Sequence, residues 1–105
     1  MAVVFVLQVR VKDGREQDFL ERYGRLAARV AEGLDGHVVH RLCRHADEPD
    51  RWLIESEWES AEASQTWERS DEHRELTMPM RECWDDAQRA GYEVRAETRR
   101  GSVGL

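Results

Sequence analysis

Apolar and polar residues alternate along the start of the chain. The alternating apolar residues are Val3, Phe5, Leu7, Val9 and Val11. A period of two predicts a β-strand over residues 3–12, and Asp13-Gly14 ends it. Between residues 15 and 32, apolar side chains then recur every three or four positions, which is typical of an amphipathic helix. The chain therefore begins with a strand followed by a helix.

The middle of the chain predicts a hairpin and a second helical region. Residues 37–44 and 51–58 both read as strands, and the polar turn ADEPD separates them. Ser60 is a suitable N-cap for a helix over residues 61–69, and Ser70 is one for a short helical turn that carries His73. Beyond Pro79 the pattern predicts a helix over residues 80–90, a strand over residues 92–98 and a frayed tail.

The resulting order, β-α-β-β-α-β, predicts an α+β fold of the ferredoxin-like type, with one antiparallel sheet and helices on one face. We expect a single domain over residues 1–98 and a flexible tail over 99–105. Alternation assigns these residues to the helix side: Phe5, Leu7, Val9, Val38, His40, Leu42, Trp52, Ile54, Ser56 and Trp58. The opposite side receives Gln8, Arg10, Arg41, Glu55, Glu57, Glu93 and Arg95. That charged face is either solvated or paired with a second sheet in a dimer, where Arg and Glu meet across the seam.

Composition narrows the function classes. The 105-residue chain has a formal charge of −6, which disfavours nucleic acid as a partner. It contains no apolar run of 18 residues, and its N-terminus does not resemble a signal peptide, so no membrane association is expected. Cys43 and Cys83 have neither disulfide nor metal-ligand spacing, and a reduced, cytoplasmic protein is the simplest interpretation.

Several residues carry chemistry that packing alone does not require. His40 points toward the helices by alternation, where an unpaired polar group costs energy. It therefore has a hydrogen-bonding partner or lines a cavity, whereas His37 is expected on the opposite face. Tyr23 follows the apolar stripe of the first helix, as a core residue with a polar tip or as a hydrogen-bond donor to a substrate.

The four tryptophans divide between core and pocket. Trp58 is expected to pack between sheet and helix. Trp67 lies on the second helix, in the core or on a pocket wall, where an indole face suits a flat aromatic substrate. Trp52 and Trp84 are open to both interpretations. Met78 and Met80 flank Pro79 and supply adaptable apolar side chains, as cavity lining or as ordinary core.

One stretch, LDGHVVHRLCRHADEPDRWLIESEWESAEASQTWERSDEH, resembles the antibiotic biosynthesis monooxygenase superfamily of dimeric α+β barrels. The similarity lies in the glycine turn, the hairpin, Trp-Glu-Ser at 58–60, and Ser-x-x-His at 70–73. It implies a homodimer with sheets packed face to face and a cavity in each protomer. It also implies substrates that are polycyclic aromatic compounds of bacterial polyketide pathways.

The resemblance implies two related chemistries. In the first, a phenol or anthrone is oxidised to a quinone by O₂ with no metal, flavin or haem. In the second, a poly-ketone closes a ring by an aldol-type reaction. His73 matches the Ser-x-x-His and is the first candidate base, His40 is the second, and Arg81 is a candidate for holding a developing anion.

Two further alternatives remain at this point. The haem-degrading branch resembles this chain in a helix Trp, here Trp67. That branch also carries a strand-one Asn, where this chain has Leu7, and a His nine or ten residues beyond the Trp, where it has Leu76 and Thr77. A non-catalytic ligand-binding dimer is the alternative outside enzymes.

Overall fold

The computed structural model describes residues 1–104 as one antiparallel sheet covered by helices, followed by a small hairpin. The elements in chain order are β1 (Val3–Val11), α1 (Glu16–Ala31), β2 (His37–Arg44), β3 (Arg51–Trp58), α2 (Ala61–Glu68), α3 (Asp71–Arg81), β4 (Trp84–Glu93), β5 (Glu97–Arg99) and β6 (Ser102–Gly104). The sheet order is β2-β3-β1-β4, with every neighbouring pair antiparallel. The predicted ferredoxin-like α+β fold is confirmed.

The core lies between the helices and one face of the central strands. Val9 is paired with Trp52 across β1 and β3, so both side chains lie on the same face. Phe19 of α1 is 0% exposed and meets the edge of the Trp52 ring at a centroid distance of 5.5 Å. The predicted strand alternation therefore identifies the helix-covered face of β1 and β3 correctly.

Strand β2 departs from simple alternation because it contains a bulge. His37 is paired with Trp58, but Val39, two residues on, is paired with Glu57, so the register shifts by one. An extra residue reverses the side-chain phase of a strand. The expectation that His37 and His40 face opposite ways is therefore wrong: their ring centroids are 6.0 Å apart. Val38, predicted to face the helices, is 44% exposed.

The last third of the sheet also differs from expectation. Helix α3 continues through Pro79 to Arg81, and β4 occupies residues predicted to be a helix over 80–90. Most β4 side chains are exposed, so the strand shows little apolar alternation, and its pairing with β1 decides its structure. The Pro79 carbonyl accepts a hydrogen bond from Arg22 at 2.5 Å, which ties this part of α3 to α1.

The C-terminal segment forms a hairpin where we expected fraying. Strands β5 and β6 pair with each other across Gly101, whose φ of 81° suits a glycine turn. Leu105, the final residue of the predicted tail, lies outside the described residues, and the domain boundary after residue 98 stays a prediction. Within residues 1–104, no helix is long and apolar enough to cross a membrane.

The face of the sheet away from the helices is mixed in character. Arg41 and Glu55 form an ion pair across β2 and β3 at 3.0 Å. Val6 pairs with Glu55 in the β1–β3 register and therefore shares this face, so the face is not purely charged. Glu93 pairs with Val3 on the helix side and Arg95 lies beyond β4, so both were placed wrongly on this face.

Candidate active site

A cavity of about 680 Å³ lies between the sheet and helices α2 and α3. Its walls combine aromatic rings with a few polar groups and a charged rim. The aromatic lining residues are Phe5, Trp58, Trp67 and Trp84. The uncharged polar lining residues are His40, Ser56, His73 and Thr77, and the charged ones are Glu68, Arg74, Arg81 and Arg89. An apolar cavity with few convergent polar groups is typical of a small-molecule site.

Ser70 positions two of these residues at the junction of α2 and α3. Its side-chain oxygen accepts the backbone N–H of His73 at 3.1 Å and donates to the carbonyl of Trp67 at 2.6 Å. The predicted N-cap is confirmed, and Ser60 caps α2 in the same way through Ala63. As a result, the Trp67 and His73 rings meet edge to face at 5.5 Å.

His73 is held in its neutral form. Burial lowers the pKa of its imidazole, because a charged ring would be poorly solvated there, and nearby Arg81 and Arg89 lower the pKa further. Glu68 acts in the opposite direction. A neutral imidazole has a free ring nitrogen and can accept a proton.

His40 forms a hydrogen-bonded pair with Tyr23. The phenol oxygen lies 2.8 Å from Nδ1, and the two rings are stacked at 5.6 Å. Burial, followed by the charges that His37 and His73 would carry, lowers the pKa of His40 to about 4. Burial also raises the pKa of Tyr23. Because a phenol is the stronger donor of the two, we assign Tyr23 as the donor to Nδ1, which places the proton of neutral His40 on Nε2. His40 is therefore better suited to donate a hydrogen bond than to act as a base.

One side of the cavity is closed by contacts between α2, β1 and β4. Glu68 and Arg89 form an ion pair at 2.7 Å, and the Arg89 guanidinium lies 4.4 Å from the centre of the Phe5 ring. Phe5 fits closely over β4 because residue 91 is glycine: a Cβ there would lie 2.7 Å from Phe5 Cε1. The position of the Phe5 ring in the cavity wall therefore depends on residue 91 having no side chain.

The structure brings most of the predicted site residues together. Six of the predicted substrate-binding and catalytic side chains line the cavity: His40, Trp67, His73, Met80, Arg81 and Trp84. Tyr23 reaches this group through its hydrogen bond to His40. Their roles in binding and catalysis stay predictions.

Two predicted binding residues lie elsewhere. Met78 is 50% exposed, and its sulfur contacts Arg81 at 3.8 Å. Because α3 continues through Pro79, Met78 and Met80 are separated by about 200° around the helix and point to opposite sides. Trp52 packs in the core and borders a smaller cavity of about 390 Å³, where Arg10, Arg44 and Arg51 are paired with carboxylates.

Sequence reasoning missed several lining residues. Thr77 follows His73 by four positions, and helical spacing would have placed both on one face had the short helical turn after Ser70 been predicted to extend to residue 77. Arg89 was assigned to a helix and became a cavity residue only because β4 pairs with β1. Among residues 1–104, no group of three His, Cys, Asp or Glu side chains is arranged to hold a metal ion.

Comparison with known proteins identifies the class to which this fold and cavity belong. Residues 2–77 match the family model described as antibiotic biosynthesis monooxygenase, and the chain belongs to that family. It is similar to the 42.8 kDa protein in the whiE locus of Streptomyces coelicolor, with 42% identity over 89% of this chain and 23% of the relative. Protein SchA of Streptomyces halstedii is 37% identical over 89% of this chain and 24% of its own length. The chain thus spans about a quarter of these curated relatives.

Solved structures agree on the fold. SnoaB of Streptomyces nogalater, described as a cofactor-independent oxygenase, superposes with a TM-score of 0.79 at 21% identity, over 90% of this chain and 93% of SnoaB. A family member from Caulobacter crescentus superposes with a TM-score of 0.82 at 17% identity, over 89% of each chain. At these identities the likeness establishes the fold and leaves the substrate open.

Proposed function

We propose that this protein is a cofactor-independent monooxygenase that oxidises a polycyclic aromatic phenol or anthrone to a quinone. The observation that carries the proposal is the aromatic-walled cavity of about 680 Å³ into which two neutral imidazoles, His40 and His73, are placed. The similarity to a polyketide synthase, CurD of Streptomyces cyaneus, at 34% identity over 80% of this chain and 22% of the relative, supports a polyketide-derived substrate.

The reaction begins with proton transfer to His73. The substrate CH₂ group or phenol gives its proton to the free ring nitrogen, and the resulting anion gives an electron to O₂. The substrate radical and superoxide then combine into a peroxide, which takes the proton back from His73. For an anthrone, loss of water leaves the quinone, with one atom of O₂ in the new carbonyl and the other in water. The protein is unchanged at the end of the cycle.

A base with a lowered pKa needs help to generate an anion. We assign that help to two hydrogen-bond donors that line the same cavity: the Nε2–H of His40, oriented by Tyr23, and the guanidinium of Arg81. Hydrogen bonds and positive charge aimed at a developing oxyanion in a dry cavity stabilise it more strongly than water does. His73 is therefore the base in this proposal, and His40 is the donor that makes the base effective.

The second candidate is an aldol-type polyketide cyclase. The observation that favours it is the number of polar groups on the cavity wall, since Ser56 and Thr77 add hydroxyls to the histidines. A flexible poly-ketone requires several donors along its length, whereas an oxygenase substrate is already flat. Ring closure would use the same base to form an enolate, without consuming O₂.

We also propose that two copies pack sheet against sheet. The uncovered face carries the Arg41–Glu55 ion pair beside half-buried apolar residues such as Val6. A face of this mixture can bury its apolar groups while its charges pair across the seam. Sedimentation at micromolar concentration is expected to give twice the chain mass of 12.3 kDa. A monomer under these conditions would reject the dimer.

Oxygen uptake tests the proposed chemistry. Metal-free protein is mixed with a panel of anthrones and polycyclic phenols in an oxygen electrode, and we expect uptake above the spontaneous rate with a quinone product. His73→Ala is expected to lower the rate by about 100-fold or more, because a general base contributes at least that factor. His45→Ala is the matched control, since His45 is exposed and lies outside the cavity.

The outcomes separate the two candidates. Absence of uptake across the panel, together with ring closure of a poly-ketone under nitrogen, would replace the oxygenase with the cyclase. Uptake that is unaffected in both His73→Ala and His40→Ala would reject the assignment of the base and the donor.

A further inference from the structure

Thr77 has a buried hydroxyl that lacks a partner. The residue is 9% exposed and lines the cavity, and its Oγ1 forms no hydrogen bond with any residue in the described range 1–104. A threonine in a helix ordinarily satisfies its hydroxyl by donating to the carbonyl four residues earlier. Thr66 does this in α2, with 3.0 Å between its Oγ1 and the Glu62 carbonyl. Thr77 does not follow that pattern, although its helix offers the same carbonyl.

Thr77 differs in position from another buried hydroxyl that lacks a partner. Ser64 is also buried, at 1% exposed, and also lacks a partner, but it does not line the cavity. Thr77 lies one helical turn beyond His73, so both side chains project from the same face of α3 into the cavity. A buried hydroxyl without a partner is unfavourable. The partner that Thr77 lacks can therefore come from a molecule in the cavity.

We infer that Thr77 is a substrate-positioning residue that hydrogen-bonds an oxygen atom of the substrate while His73 faces the carbon or oxygen that loses its proton. The inference rests on the proposed function and specifies the substrate class further. Four residues of α-helix span about 6 Å along the axis, roughly the length of two fused rings. The substrate is accordingly a flat polycycle with a carbonyl or hydroxyl oxygen about two rings away from its reacting atom.

The Thr77 hydroxyl also allows the cavity to discriminate between oxygenated polycycles and hydrocarbons. Much of the surrounding wall, including Trp67, Trp84 and Met80, is apolar and contacts any flat polycycle equally well. Thr77 provides a contact that a hydrocarbon cannot satisfy. A site with a buried polar group discriminates against ligands that leave the group unpaired. Oxygenated polycycles should therefore bind more tightly than hydrocarbons of the same shape.

Thr77→Val tests the inference, because valine has nearly the shape of threonine without the hydroxyl. Binding is followed by quenching of tryptophan fluorescence, with 1,8-dihydroxyanthraquinone as the oxygenated probe and anthracene as the hydrocarbon probe. We expect the valine variant to bind the anthraquinone about fivefold to tenfold more weakly and anthracene unchanged. Thr77→Ser keeps the hydroxyl and should restore the preference. Ser64→Ala, at the buried hydroxyl outside the cavity, should bind both probes as the unmodified protein does.

Thermal unfolding of the empty protein provides an independent readout. If the hydroxyl is unpaired, Thr77→Val should raise the melting temperature, since the variant removes a buried polar group and keeps the volume. A lower melting temperature would show that the hydroxyl is bonded within the protein and would overturn the inference. Unchanged probe preference in Thr77→Val would also overturn it, while leaving the oxygen-uptake result of the proposed function intact. Failure of the oxygenase shows itself separately, as absence of oxygen uptake.

Discussion

The layer between sheet and helices is built differently at its two ends. At the closed end, Phe19 is fully buried and meets Trp52 edge to face at 5.5 Å. At the open end, Trp67 and His73 meet in a similar edge-to-face contact at 5.5 Å, yet about 680 Å³ of space remains beside them. Aromatic residues therefore do not distinguish core from site in this fold. The distinction lies in whether a further apolar side chain fills the volume in front of the rings.

Trp84 belongs to both ends. One part of its ring system packs on Phe19 with a centroid distance of 6.1 Å, and the residue also lines the cavity. The sequence interpretation left Trp84 open between core and pocket, and the structure places it at the boundary between them. The cavity is thus supported directly by the closed end of the core.

The largest expected effect is on the closed end. Phe19→Ala should lower the free energy of unfolding by about 3–5 kcal/mol, because it empties a fully enclosed space among packed rings. Urea denaturation of the purified protein measures this loss.

Trp67→Ala supplies the comparison at the open end. It removes a larger ring, but that ring is only half-buried, so the loss should stay below about 2 kcal/mol while binding of a polycyclic probe weakens. Equal destabilisation by the two variants would contradict the division between closed core and open site.

A second effect arises from the pKa of His40. The pKa is about 4 in the folded protein and near 6.5 in an unfolded chain, so between these values the unfolded chain binds the extra proton. Stability should therefore fall as pH is lowered from 7.5 to 5, by up to about 2 kcal/mol from this residue. The lowered pKa values of His37 and His73 act in the same direction.

Urea denaturation at both pH values measures that slope. His40→Gln should flatten it. A slope that is as steep in His40→Gln as in the unmodified protein would show that His40 does not remain neutral on folding.

The smallest effects concern two glycines. Gly91→Ala places a methyl group against the Phe5 ring and should cost about 1–2 kcal/mol, because the aromatic wall must shift. Gly24→Ala is its matched control: a Cβ there meets nothing within 4 Å in α1, and it should stabilise by about 0.5–1 kcal/mol. Both are measured by urea denaturation, and opposite signs are expected. Stabilisation by both substitutions would show that the Phe5 ring can move away from the added methyl group at residue 91 without loss of stability.

The first part of the fold was predictable because local pattern and tertiary structure agree there. The apolar alternation of β1 and the stripe of α1 reflect burial on one face, so each appears directly in the sequence. Ser60 and Ser70 could be identified as caps because capping depends on a single side chain and its neighbouring backbone. The Ser70 cap also brings Trp67 and His73 into contact, which the sequence analysis did not predict.

The remaining part depends on contacts between distant segments. Strand β4 is mostly exposed, and its partner β1 lies about 80 residues earlier, so nothing in residues 84–91 themselves indicates a strand, and only the end of β4 falls within the strand predicted over residues 92–98. Because residues 80–90 were predicted to form a helix, Arg89 was not predicted to line the cavity. Met78 was placed in the pocket because Pro79 was expected to stop a helix that in fact continues to Arg81.

The bulge in β2 has an evolutionary consequence. Because one additional residue exchanges the two faces of a strand end, insertion or deletion of a single codon near residue 38 would move the imidazole of His37 between the solvent and the interior without altering any side chain. Such a change reverses which face of the sheet the side chains at this end of the strand occupy. A lineage could thereby acquire or discard a titratable group close to its cavity in one mutational step, and a comparison of residue identities alone would record only a gap.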